Sequence, residues 1–252
     1  MSGHSKWSQI KRQKGVTDHK RGQLFTKLGR EISVAARKGG GDPSSNFGLR
    51  LAMQKAHDAN MPMDNVDRAI KRGAGGADAT SLAEITYEGY GPGGVAVIVN
   101  AVSDNRNRTA SEIRSTFTKA GGNLGETGSV GWLFDYRGVI TLETAKVSPD
   151  EVALWAIDAG AEDIKIEDKV VEVYTKPEDL EKVRRALEAQ KVTVVSAELS
   201  MIPKTVVTVD EKHALSALKL LDKLEALDDV QQVYSNADFP NEVLAKYQSE
   251  SD

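Results

Sequence analysis

The chain has 252 residues, 40% of them hydrophobic and 28% charged, enough to bury a substantial core and to divide into two or three domains. It contains no Cys, which excludes disulfides, a thiolate nucleophile and thiolate-held zinc or iron–sulfur centres. No run of 18 apolar residues exists and the opening MSGHSKW leads into charge, so the expectation is a cytoplasmic protein with no membrane span and no secretion signal.

The formal net charge of −4 conceals an asymmetry. Residues 1–80 carry 15 Lys or Arg against 7 Asp or Glu, and the remainder carries 18 against 30. Seven of the cations fall within residues 4–28. A basic block on an acidic chain turns one surface toward phosphates while the rest repels them; a merely solvated surface is the alternative.

In chain order, residues 18–38 place Leu24, Leu28, Ile32 and Ala35 at helical spacing, with Lys20, Lys27, Arg30, Arg37 and Lys38 on the opposite arc. That helix is expected to pack by one face and offer five cations on the other, and GGGDP at 39–43 ends it. A second helix is predicted at about 45–59. A third starts near MPMDN, where Pro62 suits an early helical position and Asp64 the positive end of the helix dipole. GAGGADA then reads as a linker.

From residue 95 the period changes. VAVIVNAV predicts a buried strand, residues 105–121 a helix with Ile113 and Phe117 inward, and SVGWLFDY at 129–136 another strand. A full β-α-β-β-α-β series follows: strands at about 138–143, 163–167, 170–175 and 192–199, with helices at about 148–158 and 177–189. After Pro203 come a strand at 204–210, a helix from Glu211 and a strand at 229–235. The expected fold class is α+β and multidomain: an N-terminal three-helix domain followed by two ferredoxin-like α/β domains, one inserted in the other. The boundaries are 1–78 for the basic helical domain, 79–136 with 201–240 for the split domain, and 137–200 for the insert.

Catalytic chemistry finds little support. YEGYGPGG at 87–94 lacks the Lys-Ser or Lys-Thr ending of a P-loop, no nucleophile elbow or His-Glu-x-x-His occurs, and the acids of 150–168 are dispersed. His4, His19, His57 and His213 show no metal-ligand spacing, so neither metal nor cofactor is expected. Trp7, beside Lys6, Lys11, Arg12 and Lys14, could stack on a base or pack on the helices. Arg106 and Arg108 sit at a helix start, where the dipole does not reward cations, which gives them some claim to a ligand role. Asn123, Thr127 and Ser129 of the glycine-rich 119–132 segment could bond to sugar or phosphate, or simply form a loop.

GHSKW (3–7), KRGQLFTKLGREISVAAR (20–37), GGGDPSSN (39–46), NMPMDNVDRAIKRG (60–73), YEGYGPGG (87–94), DNRNRTASEIR (104–114) and GGNLGETGSVGW (121–132) together resemble the YebC/PmpR family of probable transcriptional regulators, whose mitochondrial relatives act in translation. The resemblance spans nearly the whole chain. It implies a helical N-terminal domain with two α/β domains, and a cytoplasmic DNA-binding regulator of transcription; other members imply ribosome association and relief of stalled synthesis. It transfers no catalytic residues. Carried onto this chain, it makes Lys6, Lys11, Arg12, Lys14, Lys20, Lys27 and Arg30 candidate phosphate contacts, beside Trp7, Arg106 and Arg108. Cations neutralise DNA and RNA backbones alike, so the residues leave DNA and ribosomal RNA both open as partners. The expectation is therefore a non-enzymatic, nucleic-acid-binding transcriptional regulator. The alternatives are a ribosome-associated translation factor and a protein-interaction scaffold with unnamed partners.

Overall fold

The computed structural model describes residues 18–75, 82–144, 147–167 and 170–249, the side chains of 18–20 and 248 excepted. The described residues open with three helices, α1 (Asp18–Gly39), α2 (Phe47–Asp58) and α3 (Met63–Gly73). Leu28, Ile32 and Ala36 of α1 meet Leu49, Ala52 and Ala56 of α2 and Val66 and Ala69 of α3 in one buried cluster. Leu24, expected on that face, is 36% exposed.

Two devices lock the bundle. Asn46 caps α2 by accepting from Leu49 N–H at 3.0 Å, while its own amide donates to the Ala35 and Gly40 carbonyls at 2.8 Å, so one buried side chain ends α1 and starts α2. Ser33 Oγ lies 2.8 Å from the Ala69 carbonyl, and α3 approaches so closely there that a Cβ on Gly73 would stand 2.1 Å from the Ser33 carbonyl oxygen.

The remaining described residues form three sheets. β1 (Ala83–Tyr90), β2 (Ala96–Ser103), β3 (Asn123–Leu124) and β9 (Val230–Ser235) make an antiparallel sheet in the order β3-β1-β2-β9. Two helices, α4 (Arg106–Lys119) and α7 (Glu211–Glu225), contribute Ile113, Phe117, Leu218 and Leu221 to its core, and α8 (Asn241–Ser249) adds Leu244 and Tyr247. A parallel pair, β8 (Val207–Thr208) with β10 (Ala237–Asp238), lies apart from that sheet. These elements and the three helices belong to one compact unit, formed by the chain up to Leu133 and from Thr205 onward.

Residues 134–204 form the second unit. It contains β4 (Phe134–Glu143), α5 (Pro149–Ala159), β5 (Asp163–Glu167), β6 (Val170–Thr175), α6 (Leu180–Ala189) and β7 (Thr193–Pro203), with strand order β5-β6-β4-β7. Pro149 at the first turn of α5, with Asp150 and Glu151 behind it, and Gly160 at φ 111° past its end are ordinary helix start and stop signals.

Three strand expectations change. The strand expected at 129–136 begins only at Phe134 and belongs to the second unit, where it pairs with β7 up to Pro203. The first sheet instead takes β1, whose register with β2 runs unbroken from Ala83↔Ser103 to Tyr90↔Ala96. The segment 204–210 supplies only the two-residue β8. Glycines at 89, 91, 93 and 94 masked β1 in the sequence, because glycine weakens a strand and signals a turn. Gly89 is required inside the strand: a Cβ there would stand 2.7 Å from the Asn123 carbonyl oxygen and 2.9 Å from the Phe117 ring.

Candidate nucleic-acid interface

Five of the candidate residues, Lys6, Trp7, Lys11, Arg12 and Lys14, lie outside the described residues, and Lys20 is placed on α1 by its backbone alone. Four further cations of α1 are engaged within the protein. Lys27 Nζ donates to the Glu225 carbonyl, Arg30 Nη1 to the Asp228 carbonyl at 2.6 Å and to Asp229 Oδ1 at 2.9 Å, Arg37 to the Leu82 carbonyl, and Lys38 pairs with Glu84. The arc that helical periodicity marks as open to solvent is thus docked along the first sheet, against the start of β1 and the loop between α7 and β9.

The loop carries Asp229, whose side chain is 4% exposed. Its Oδ2 accepts from Ser103 Oγ at 2.9 Å, Arg108 Nη2 at 2.7 Å and Thr109 Oγ1 at 2.7 Å, and its carbonyl accepts from Val102 N–H at 2.8 Å. Burial pushes the Asp229 carboxyl up, but the hydrogen bonds of Arg108, Thr109 and Ser103 and the charge of Arg30 outweigh it and hold it below the usual carboxylate range. Arg108 thereby finds at the start of α4 the compensation that the helix dipole denies it, with Asp104 as a second partner at 2.9 Å. Arg106 is exposed, and its carbonyl accepts from Tyr87 Oη at 3.3 Å. Exposed cations also line the C-terminal half of α3, at Arg68, Lys71 and Arg72.

A second buried acid organises the glycine-rich loop after β3. Glu88, 7% exposed, accepts from Gly128 N–H at 2.8 Å, Val130 N–H at 2.7 Å and Gly131 N–H at 2.6 Å. Burial raises its carboxyl, the three backbone donors lower it, and the donors prevail. The Ser129 carbonyl of this loop accepts from both Tyr90 Oη at 3.1 Å and Trp132 Nε1 at 3.2 Å, and these side chains are 40% and 65% exposed. Of the loop's three expected polar contacts, Asn123 and Thr127 are exposed and Ser129 is half-buried.

Asp229 and Glu88 were not singled out from sequence. Asp229 lies in a helix-to-strand turn and Glu88 in a strand beside glycines, and neither context differs from that of a solvated acid. Asp210 caps the start of α7 by accepting from His213 N–H at 2.9 Å and also holds the His213 ring, whose Nδ1 stands 2.8 Å from Asp210 Oδ1, and no cluster of three metal-ligating side chains occurs among the described residues. No helix among them is long and apolar enough to cross a membrane.

Comparison with known proteins agrees with this architecture over almost the whole chain. Residues 5–76 match the family described as TACO1/YebC protein N-terminal domain, and residues 82–237 match TACO1/YebC second and third domain. A probable transcriptional regulatory protein of Dehalococcoides mccartyi is 59% identical over 251 residues, covering 100% of both chains. Another, from Roseiflexus castenholzii, is 57% identical and covers 99% of this chain and 100% of its own. The crystal structure of a conserved hypothetical protein from Aquifex aeolicus superposes with a TM-score of 0.81 at 48% identity, over 88% of this chain and 92% of that one.

Proposed function

The chain belongs to the TACO1/YebC family, and from that premise we propose that it is a non-enzymatic, nucleic-acid-binding transcriptional regulatory protein that grips phosphates with its basic N-terminal region. The observation that carries this reading is the partition of charge. Residues 1–80 hold 15 cations against 7 acids on a chain that is acidic elsewhere. Such a partition orients a protein on a polyanion and makes its affinity fall steeply with salt. Because Lys27 and Arg30 are bonded within the protein, the phosphate contacts fall first to Lys6, Lys11, Arg12, Lys14 and Lys20. Arg106 joins them, with Lys71 and Arg72 as further exposed cations.

A second reading, a translation factor seated on ribosomal RNA, is favoured by the exposed Tyr90 and Trp132. Sequence-specific RNA recognition works largely through stacking on unpaired bases. One experiment separates the two. Crosslinking in cells is mapped on both RNA and DNA and compared with the variant carrying Lys6→Glu, Lys11→Glu, Arg12→Glu, Lys14→Glu and Lys20→Glu, in which Lys27 is spared to keep α1 docked. Discrete promoter sites lost in the variant support transcriptional control, and crosslinks concentrated in ribosomal RNA support the translation reading. Identical crosslinking by the folded variant sinks the N-terminal phosphate grip and moves the nucleic-acid contact to other residues, whereas no specific crosslink in either protein leaves a protein-interaction scaffold.

A further inference from the structure

We propose that Tyr90 and Trp132 form a stacking platform for an unstacked nucleobase of a single-stranded nucleic acid. The proposal rests on the nucleic-acid reading above and adds to it a site separate from the basic N-terminal region. Both side chains hang their polar edge on one acceptor, the Ser129 carbonyl, at 3.1 and 3.2 Å. That acceptor is itself immobilised, since the backbone N–H groups of Gly128, Val130 and Gly131 on either side of it all donate to the buried Glu88 carboxylate. Anchoring at the edge fixes where each ring sits while 40% of Tyr90 and 65% of Trp132 stay exposed. A pre-positioned aromatic face gives up little conformational entropy when a base stacks on it.

The surroundings select a base over other ligands. Between Gly121 and Leu133 the aliphatic side chains are buried or half-buried (Leu124, Val130, Leu133), so the exposed surface is an aromatic ring among Gly, Asn and Thr. Exposed aromatics also serve protein interfaces, but there they sit within a larger apolar patch, and this segment adds no exposed aliphatic side chain to them. Glu126 is its one charged residue, so the segment is addressed to the π-face and edges of a base and leaves phosphate attraction to cations elsewhere. Gly128, at φ 89° with open space where a Cβ would stand, lets a nucleotide approach the backbone, and the exposed amide of Asn123 can bond a base edge.

The test uses the full chain and fluorescently labelled 12-mers: a single-stranded oligoribonucleotide, the matching oligodeoxyribonucleotide, each with abasic sites, and the duplex. Trp132→Ala is expected to weaken binding to the intact single strands on the order of 10- to 100-fold, the effect of losing one base–aromatic stack. Trp132→Phe should stay within about threefold, Tyr90→Ala should weaken binding less than Trp132→Ala, and the duplex and abasic strands should not distinguish wild type from variants. Loss on the ribose strand alone identifies RNA as the source of the base; equal loss on both strands identifies the base itself as what is read. The platform is overturned if Trp132→Ala binds single strands as tightly as wild type, or loses single strands and duplex equally. Those outcomes leave the nucleic-acid reading standing. A wild-type protein that binds no strand or duplex at low salt removes that reading and the platform together.

Discussion

Replacing Asp229 by Ala tests whether α1 is held on the sheet by charge. The substitution removes the acceptor of Arg30, Arg108, Ser103 and Thr109 at once. The hydroxyls lose little, because Thr109 Oγ1 also stands 2.8 Å from Ser103 Oγ and 3.1 Å from the Asn105 carbonyl. The guanidiniums retain second acceptors in the Asp228 carbonyl and Asp104, and their side chains are 23% and 44% exposed, so water replaces part of what is lost. The cost therefore falls below the roughly 3–5 kcal/mol of breaking a fully buried ion pair. We set it at about 2–3 kcal/mol, near the lower end for two charge-assisted hydrogen bonds. For a chain of this size that lowers Tm by about 4–12 °C. Thermal unfolding followed by circular dichroism measures the total. Amide hydrogen exchange locates it: exchange in α1 should rise by about tenfold or more while residues 134–204 keep their protection. Unchanged Tm together with unchanged exchange in α1 would refute the docking argument.

Three further outcomes follow from the same geometry. Glu88→Gln leaves one acceptor oxygen for three N–H donors and points an amide at the remainder, so it should cost about 2 kcal/mol in urea unfolding and expose residues 125–131 to limited proteolysis; a variant with unchanged midpoint and cleavage contradicts the role given to Glu88. Gly73→Ala improves helix propensity by about 1 kcal/mol, yet its Cβ meets a backbone oxygen that cannot rotate away, so the net change should be destabilising by about 2 kcal/mol, and a stabilised variant would show that α1 and α3 are not in that contact. Asp229 and Glu88 both have depressed carboxyls in the folded protein, so on acidification the unfolded chain takes up these protons first. Their contribution is complete above the ordinary carboxyl values of about 4 and is lost as pH falls through the folded values, a slope that Asp229→Ala and Glu88→Gln should each reduce in urea midpoints measured from pH 6 down to pH 3.

Helices and the second sheet were legible because their signals are local. Strands 163–167 and 170–175 and the helix from Glu211 stand where alternation and periodicity put them. The first sheet was harder to read. β1 carries Gly89 within it because Phe117 and the Asn123 backbone need the room, a tertiary demand that imitates a turn in the sequence. Trp132 and Phe134 read as neighbours on one strand face, yet Trp132 lies in a short 3₁₀ turn at 65% exposure and Phe134 opens a strand and is buried.

The cations show most clearly why a pattern of residues is not a site. A helical wheel separates apolar from charged faces, but it does not tell a charged face bathed in water from one docked on carbonyl oxygens. Lys27, Arg30 and Arg37 occupy the second situation, each bonded to a main-chain carbonyl, which carries no side-chain signal, while Lys38 pairs with the Glu84 carboxylate. Reversing the charge of Lys27 would thus have mixed two effects, loss of phosphate attraction and loss of docking. Charge reversal confined to Lys6, Lys11, Arg12, Lys14 and Lys20 removes five cations and should lower the slope of log affinity against log salt by about 4.5, at roughly 0.9 per phosphate contact on duplex DNA. Arg30→Ala, by contrast, should move Tm and leave that slope unchanged. A salt slope that drops with Arg30→Ala and stays put in the five-residue variant would reverse the assignment, making the docked face the one that meets phosphate.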